Sequence, residues 1–103
     1  MSYIDKRPLT IFCDIDGTLI KAQSKQNYNK PPVVLQGNVQ AVKAMAENGS
    51  QIIFVTARPE SAREVTENML KGIGFKTFNL LMGLKNCKRI LINDFNYANP
   101  YPR

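Results

Sequence analysis

The chain has no histidine and two cysteines among its 103 residues, and these shortages exclude several kinds of site. Without histidine there is no Ser-His-Asp or Cys-His mechanism and no histidine-based zinc site. Two cysteines are too few for a disulfide scaffold. We interpret Cys13, which lies inside an apolar run, as a core residue, and Cys87 as inert in catalysis, because no imidazole is present to activate a thiol.

Acidic residues are also few, and long apolar runs are absent. Eight Asp and Glu stand against fourteen Lys and Arg, which gives a net charge of +6 and favours anionic ligands. The basic residues are scattered along the chain, a distribution typical of a solvated surface. No run approaches membrane-spanning length, and the amino terminus carries no cleavable apolar segment. These features predict a cytoplasmic protein without membrane contact, with residues 1–103 forming one domain.

Apolar runs alternate with amphipathic segments along the chain. Strands are predicted in the run that ends at Asp14 and over residues 51–55, 77–82 and 89–93. A loop is predicted over residues 21–37. One helix, capped by Asn38, is predicted to run to about residue 48, with a buried face of Val39, Val42, Met45 and Ala46. A second is predicted from Pro59, with a buried face of Ala62, Val65, Met69 and Ile73. This alternation predicts an α/β fold with a mostly parallel sheet and right-handed crossovers.

Polar residues directly follow several of the predicted strands, namely Asp14, Asp16, Thr56 and Asp94. The carboxyl ends of parallel strands meet at one edge of a sheet, where ligands bind in open α/β folds. Two carboxylates as close as Asp14 and Asp16 repel each other unless a cation, a shared proton or solvent relieves the repulsion. Because all the candidate ligands are oxygen atoms, we predict a magnesium ion.

The same residue types suit phosphoryl transfer. Asp14 can act as a nucleophile that forms an aspartyl-phosphate, and Asp16 is near enough to protonate the leaving oxygen and then activate water. Gly17 lets the backbone approach a phosphate closely, and Thr18 can brace the turn. Thr56 supplies a hydroxyl to the phosphoryl group, and a lysine would neutralise developing charge.

Residues 14–18, Asp-Ile-Asp-Gly-Thr, match in full the first motif of the haloacid dehalogenase superfamily of phosphotransferases, Asp-x-Asp-Gly-Thr. Residues 53–58 resemble the second motif, an apolar strand that ends in Thr or Ser. Residues 90–94 resemble the fourth motif, in which an acidic residue after a strand holds magnesium. The resemblance spans roughly residues 9–95. It implies a three-layer α/β/α Rossmann-like domain with a short, mainly parallel sheet.

The resemblance also implies roles for individual residues. Asp14 would be the nucleophile and a metal ligand, and Asp16 the general acid and base whose backbone carbonyl also binds magnesium. Asp94 would complete the metal site. The residues expected to bind the substrate phosphate are Gly17, Thr18, Thr56, Ala57 and Lys85. Whether Arg58 is a surface residue, a helix cap or a further phosphate contact is left open.

The lysine of the family's third motif has two candidates. Lys85, in the sequence Met-Gly-Leu-Lys, resembles the Gly-Lys context of small family members, and we assign it as the catalytic lysine. Lys88 is the alternative, because it lies three residues closer to the predicted fourth strand.

The chain departs from the family pattern in two places. Asn93 precedes Asp94 where many relatives have Gly or Asp, and residues 21–37 are too few for a substantial cap domain. A capless site is open to macromolecules or is covered by a neighbouring subunit, so nucleic acid and a homo-oligomer are alternatives as partners. The predicted function is magnesium-dependent hydrolysis of a small phosphomonoester, a sugar phosphate or a nucleotide. The alternatives are a catalytically silent module that binds metal, phosphate or a partner, and a nucleic-acid end phosphatase.

Overall fold

Three parallel strands and two α-helices make up the described part of the chain, residues 8–47 and 49–93, in this computed structural model. The strands are β1 (Thr10–Asp14), β2 (Gln51–Val55) and β3 (Asn79–Leu81), and the helices are α1 (Gln36–Met45) and α2 (Arg63–Gly72). Short 3₁₀ turns occupy Lys25–Asn27 and Glu60–Ala62. No helix within these residues is both long and apolar enough to cross a membrane.

The sheet has the order β1-β2-β3, and Cys13, Phe54 and Leu80 lie side by side in its parallel register. Because α1 connects β1 to β2, α2 connects β2 to β3, and strand order follows chain order, right-handed crossovers place both helices on one face. Val39 of α1 and Leu70 of α2 join these three side chains in a single buried core. The predicted α/β class with a short parallel sheet is confirmed, and the described residues form two layers, one of helices and one of strands.

The opposite face of the sheet carries apolar side chains that are open to solvent, with Phe12 52% and Leu81 48% exposed. The predicted fourth strand over residues 89–93 is wrong, because this segment has no regular secondary structure and Ile92 is 91% exposed. An apolar, β-branched run favours a strand, but a parallel strand also needs a paired neighbour and cover on both faces. Within the described residues no element gives residues 89–92 either of these.

Helix α1 begins at Gln36, two residues before the predicted cap. Asn38 does not cap it, since its side-chain amide donates a 2.8 Å hydrogen bond to the Thr18 carbonyl and so ties the helix to the turn after β1. Val39 and Val42 are buried as predicted, whereas Met45 is exposed. The last predicted helical residue, 48, lies outside the described residues.

The buried face of helix α2 is shifted by one position from the predicted one, and the predicted Met69 and Ile73 pack at its margin against the core. Ala62 is buried as expected, but the next buried residues are Thr66 and Leu70, one position beyond those predicted. The remaining predicted residues are half-buried, namely Val65, Met69 and Ile73. Apolar periodicity could not find Thr66, because its burial depends on a hydrogen bond to a residue outside the helix.

Candidate active site

A cleft of about 420 Å³ lies at the carboxyl ends of β1 and β2. Asp14 and Asp16 line it from the end of β1, and residues 56–58 line it from the end of β2. Gln23 and Tyr28, from the loop before α1, close one side. The structure therefore brings together three of the polar residues that the strand ends predicted, and it adds the loop.

Arg58 holds Asp16 through a bidentate ion pair. Its Nε donates to Oδ2 of Asp16 at 2.8 Å, and its Nη2 donates to Oδ1 at 2.9 Å. The backbone N–H of Gln23 donates a third hydrogen bond to Oδ1, at 3.1 Å. Both carboxylate oxygens are thus in use as acceptors, which fixes the plane of the carboxylate.

The Arg58 side chain is 2% exposed, and its remaining contacts come from two parts of the fold. Its Nη1 donates to the Thr66 hydroxyl on α2 at 3.1 Å, and its Nη2 donates to Oε1 of Gln23 at 3.1 Å. The ring of Tyr28 lies over the guanidinium with 4.1 Å between the ring centroid and Cζ, a cation–π geometry. The sequence left open whether Arg58 is a surface residue, a helix cap or a phosphate contact. The structure shows that it is the buried ion-pair partner of Asp16.

Thr56 is buried at the end of β2, where its backbone N–H donates to the Leu81 carbonyl at 3.0 Å. Its hydroxyl oxygen accepts a 3.0 Å hydrogen bond from the backbone N–H of Arg58. This turn directs the arginine back towards Asp16. Because the hydroxyl oxygen acts as the acceptor, its own proton can be donated to a ligand in the cleft.

Asp14 is the open carboxylate of the pair, with a side chain 41% exposed. Its cationic neighbour is Arg89, whose Nη1 lies 3.5 Å from Oδ1. Next to it in sequence, burial raises the pKa of the Cys13 thiol to about 11, with a smaller contribution from the negative charge of Asp14. That thiol is therefore protonated at neutral pH and is inert, in agreement with its interpretation as a core residue.

Gly17 and Thr18 form the turn after Asp16. Gly17 has φ of +83°, a conformation that favours glycine, and its N–H donates to the Ile20 carbonyl at 2.8 Å. The N–H of Thr18 donates to the Ile15 carbonyl at 3.1 Å. Both amides are used within the turn, and neither residue lines the cleft. Their assignment to phosphate binding stays a prediction.

The two candidate lysines lie elsewhere. Lys85 and Lys88 line a separate cleft of about 550 Å³ on the exposed sheet face, together with Phe12 and Leu81. The third predicted metal ligand, Asp94, lies outside the described residues. Within residues 8–47 and 49–93, no three His, Cys, Asp or Glu side chains gather as a metal site. The assignments of the lysine and of the metal ligands therefore stay predictions.

Sequence reasoning missed two cations that the structure brings to the carboxylates, Arg58 and Arg89. The position of Arg58 two residues after Thr56, at the end of a predicted strand, was a usable signal. Nothing in the sequence indicates that Arg89 pairs with Asp14, since the two residues are far apart in the chain and Arg89 lies in a segment that was predicted as a strand.

Chains from two structures of a Pnkp1/Rnl/Hen1 complex are among the solved structures that resemble this fold. A chain in "Structure of Pnkp1/Rnl/Hen1 complex" is 24% identical, with a TM-score of 0.63, and the match covers 86% of this chain and 32% of that chain. A chain in "Structure of the Pnkp1/Rnl/Hen1 RNA repair complex" is 25% identical, with a TM-score of 0.59 and coverage of 85% and 30%. This chain therefore spans about a third of the length of these structural relatives.

No curated protein matches the sequence, whereas a family model does. The family described as "PITM 1-3, LNS2 domain" matches residues 11–94, which include both aspartates of the cleft, Thr56 and Arg58. The chain therefore belongs to the LNS2 domain family, and through it to the haloacid dehalogenase-like superfamily that its first motif predicted.

Proposed function

We propose that the chain hydrolyses phosphomonoesters through an aspartyl-phosphate on Asp14. The observation that carries the proposal is the difference between the two carboxylates of one cleft. Asp14 is open to solvent, whereas both oxygens of Asp16 are held by hydrogen bonds. Two neighbouring carboxylates in different environments are suited to two different roles. Membership of the LNS2 family supports a phosphatase-type activity.

In the first step a carboxylate oxygen of Asp14 attacks phosphorus and the bond from phosphorus to the ester oxygen breaks. The ester oxygen takes a proton that Asp16 carries on Oδ2, the carboxyl oxygen that accepts a single hydrogen bond. In the second step water attacks the aspartyl-phosphate and gives a proton to Asp16. This restores both side chains and releases inorganic phosphate. The Thr56 hydroxyl donates to a phosphoryl oxygen, and Arg89 offsets negative charge beside Asp14.

The proposal includes a magnesium ion, because the candidate ligands are oxygen atoms, the type that magnesium prefers. The open carboxylate of Asp14 is a hard oxygen ligand, but both side-chain oxygens of Asp16 are bonded to Arg58. Asp16 would therefore contribute its backbone carbonyl, as the family resemblance implies, and Asp94 would contribute its carboxylate. When bound, magnesium would polarise the phosphoryl group and offset its charge.

For the substrate we propose a small phosphorylated metabolite, a sugar phosphate or a nucleotide. A nucleic-acid end phosphate is the second candidate, and two observations favour it. One is the similarity to a chain from an RNA repair complex, at 25% identity and a TM-score of 0.59. The other is the net charge of +6, which attracts polyanions.

The test is hydrolysis of 4-nitrophenyl phosphate, with magnesium and with a chelator, by the wild-type protein and by Asp14→Asn. We expect magnesium-dependent turnover that falls to background in Asp14→Asn, because the amide keeps the volume but is not a nucleophile. Glu64→Gln, an exposed carboxylate on α2 outside the cleft, is the matched control and should keep full activity. Full activity in a folded Asp14→Asn protein would refute the covalent mechanism. No turnover by a folded wild-type protein would favour the silent binding module.

The cation that serves the phosphoryl group is tested with three alanine variants. We propose Lys85, with Lys88 as the alternative, and the contact with Asp14 adds Arg89 as a third candidate. Each variant should lose less activity than Asp14→Asn. The variant with the largest loss identifies the cation, and a larger loss for Lys88 or Arg89 would overturn the choice of Lys85.

The substrate class is tested by comparing sugar phosphates and nucleotides with oligonucleotides that carry a 5′ or 3′ phosphate. A higher kcat/KM for metabolites at physiological salt supports the first candidate. A preference for oligonucleotides that weakens steeply with salt would support the second.

A further inference from the structure

We infer that Arg58 is a positioning residue that fixes the Asp16 carboxylate for proton transfer and ties the loop of residues 21–35 to it. The catalytic half of this inference rests on the proposed function. The half that concerns the loop rests on geometry alone and can be tested on a protein without activity.

The ion pair between Arg58 and Asp16 has a geometry that fixes the orientation of the carboxylate. A planar guanidinium that donates two parallel hydrogen bonds orients a carboxylate more tightly than a flexible ammonium can. The pair at 2.8 and 2.9 Å has this bidentate form. Arg58 is almost fully buried, so competition from water is weak and the orientation is held.

Arg58 is itself anchored on two sides. The Thr66 hydroxyl holds the guanidinium from α2, and the side chain of Gln23 and the ring of Tyr28 hold it from the loop. Gln23 also contacts Asp16 directly through its backbone N–H. The loop that closes one side of the cleft is therefore attached both to Asp16, the proposed proton donor, and to the arginine that orients it.

If the ion pair only stabilised the fold, removing it would lower kcat/KM by the same factor for every substrate. A positioning role predicts something else, because proton donation matters most when the leaving oxygen is strongly basic. An alkyl phosphate such as glycerol phosphate needs that proton. The 4-nitrophenolate ion leaves readily without one. The ratio of kcat/KM for the two substrates therefore separates the two roles.

We expect Arg58→Met to lower kcat/KM for glycerol phosphate about 100-fold and for 4-nitrophenyl phosphate less than about 10-fold, in line with the usual contribution of a general acid. Arg58→Lys should resemble Arg58→Met, because it keeps the charge but loses the bidentate geometry. In an Asp16→Asn background, Arg58→Met should cause no further loss with glycerol phosphate. Equal losses for both substrates, or full rescue by Arg58→Lys, would overturn the catalytic half of the inference.

The matched control is Arg63→Met, on the same stretch of chain. Arg63 pairs with Glu60 and Glu67 and donates to the Leu80 carbonyl at 3.1 Å, whereas none of its hydrogen bonds or ion pairs reaches the loop or Asp16. Its substitution should leave the ratio for the two substrates unchanged. If Arg58→Met does not fold, Thr66→Val takes its place, since it removes one anchor of the guanidinium and leaves the ion pair. It should shift the ratio in the same direction by a smaller factor, and an unchanged ratio would overturn the role.

The attachment of the loop is measured by limited proteolysis with trypsin. The loop offers cleavage after Lys21 and Lys25, whereas Lys30 is protected because Pro31 follows it. Arg58→Met, or Thr66→Val to a smaller extent, should speed cleavage at these two sites about 10-fold, because the loop opens locally more often. Arg63→Met should not. Unchanged cleavage would overturn the inference about the loop, whether or not the protein is active. Failure of the wild-type protein to hydrolyse either substrate would instead refute the proposed function.

Discussion

The hydrogen bond between Thr66 and Arg58 allows a sharp test of how much the buried polar cluster contributes to stability. Thr66→Val keeps the shape of the side chain and removes the acceptor for Nη1 of Arg58, at present 3.1 Å away. In the described residues, every buried side-chain nitrogen and oxygen atom has a hydrogen-bond partner. The substitution therefore creates an unsatisfied charged donor and no cavity.

The expected cost follows from the burial of both partners. Leaving a buried donor without an acceptor costs about 1–3 kcal/mol, and more when the donor is charged. We expect the free energy of unfolding to fall by about 2 kcal/mol, which for a domain of this size lowers Tm by about 10 °C. Thr66→Ser keeps the acceptor and loses one buried methyl group, at a cost of about 1 kcal/mol.

The assay is urea unfolding of the wild type and both variants, followed by circular dichroism, with the same m-value required of all three. If the hydroxyl matters, Thr66→Val is the less stable variant. In an Arg58→Met background, Thr66→Val should cost almost nothing, since the partner is gone. A Thr66→Val protein as stable as Thr66→Ser, or an undiminished cost in the Arg58→Met background, would refute this account of the cluster.

Three further predictions concern single residues. Iodoacetamide at pH 8 should modify exposed Cys87 and spare Cys13 in the folded protein, because a pKa of about 11 leaves about 0.1% of that thiol ionised; equal labelling would contradict the burial. Ile92→Ser should change the free energy of unfolding by less than about 0.5 kcal/mol, as for other exposed positions, whereas Phe54→Ala in the core should cost about 3–5 kcal/mol; a large loss for Ile92→Ser would show that this side chain is packed. Gly17→Ala should lower the free energy of unfolding by about 1–2 kcal/mol. The cause would be backbone strain at the positive φ alone, because an added Cβ meets no atom within 4 Å. Calorimetry measures the loss, and an unchanged stability would contradict this account.

Much of the architecture could be predicted from local pattern. The runs that became β1 and β2 were predicted within a residue or two, because a buried parallel strand is nearly continuous in apolar residues. The amphipathic segments became α1 and α2 for a similar reason. Two errors within the helices concern Asn38, which bonds to the turn after β1, and Thr66, a buried polar residue. Both depend on a partner outside the helix, Thr18 for Asn38 and Arg58 for Thr66.

The candidate site divides along the same line. Asp14, Asp16 and Thr56 could be predicted because each directly follows a strand, and the carboxyl ends of parallel strands meet at one edge. Whether Arg58 bonds to solvent, to a ligand or to Asp16 could not, because the pair spans 42 residues and depends on how α2 and the loop exclude water. The location of Lys85 away from the cleft likewise depends on the path of residues 84–93. These residues have no helical or strand periodicity from which that path could be predicted.

The sequence by itself determined the α/β class, the order of the three strands and two helices, and the strand-end aspartates Asp14 and Asp16. Periodicity, strand ends and the Asp-x-Asp-Gly-Thr motif are local properties of the chain. The tertiary structure alone decided which carboxylate is open and which is held, which cations reach them, and which apolar run pairs into the sheet. These properties are set by desolvation and by contacts between distant residues. Both Asp14 and Asp16 are aspartates in the sequence, but only the packing of Arg58, Gln23 and Thr66 makes them different.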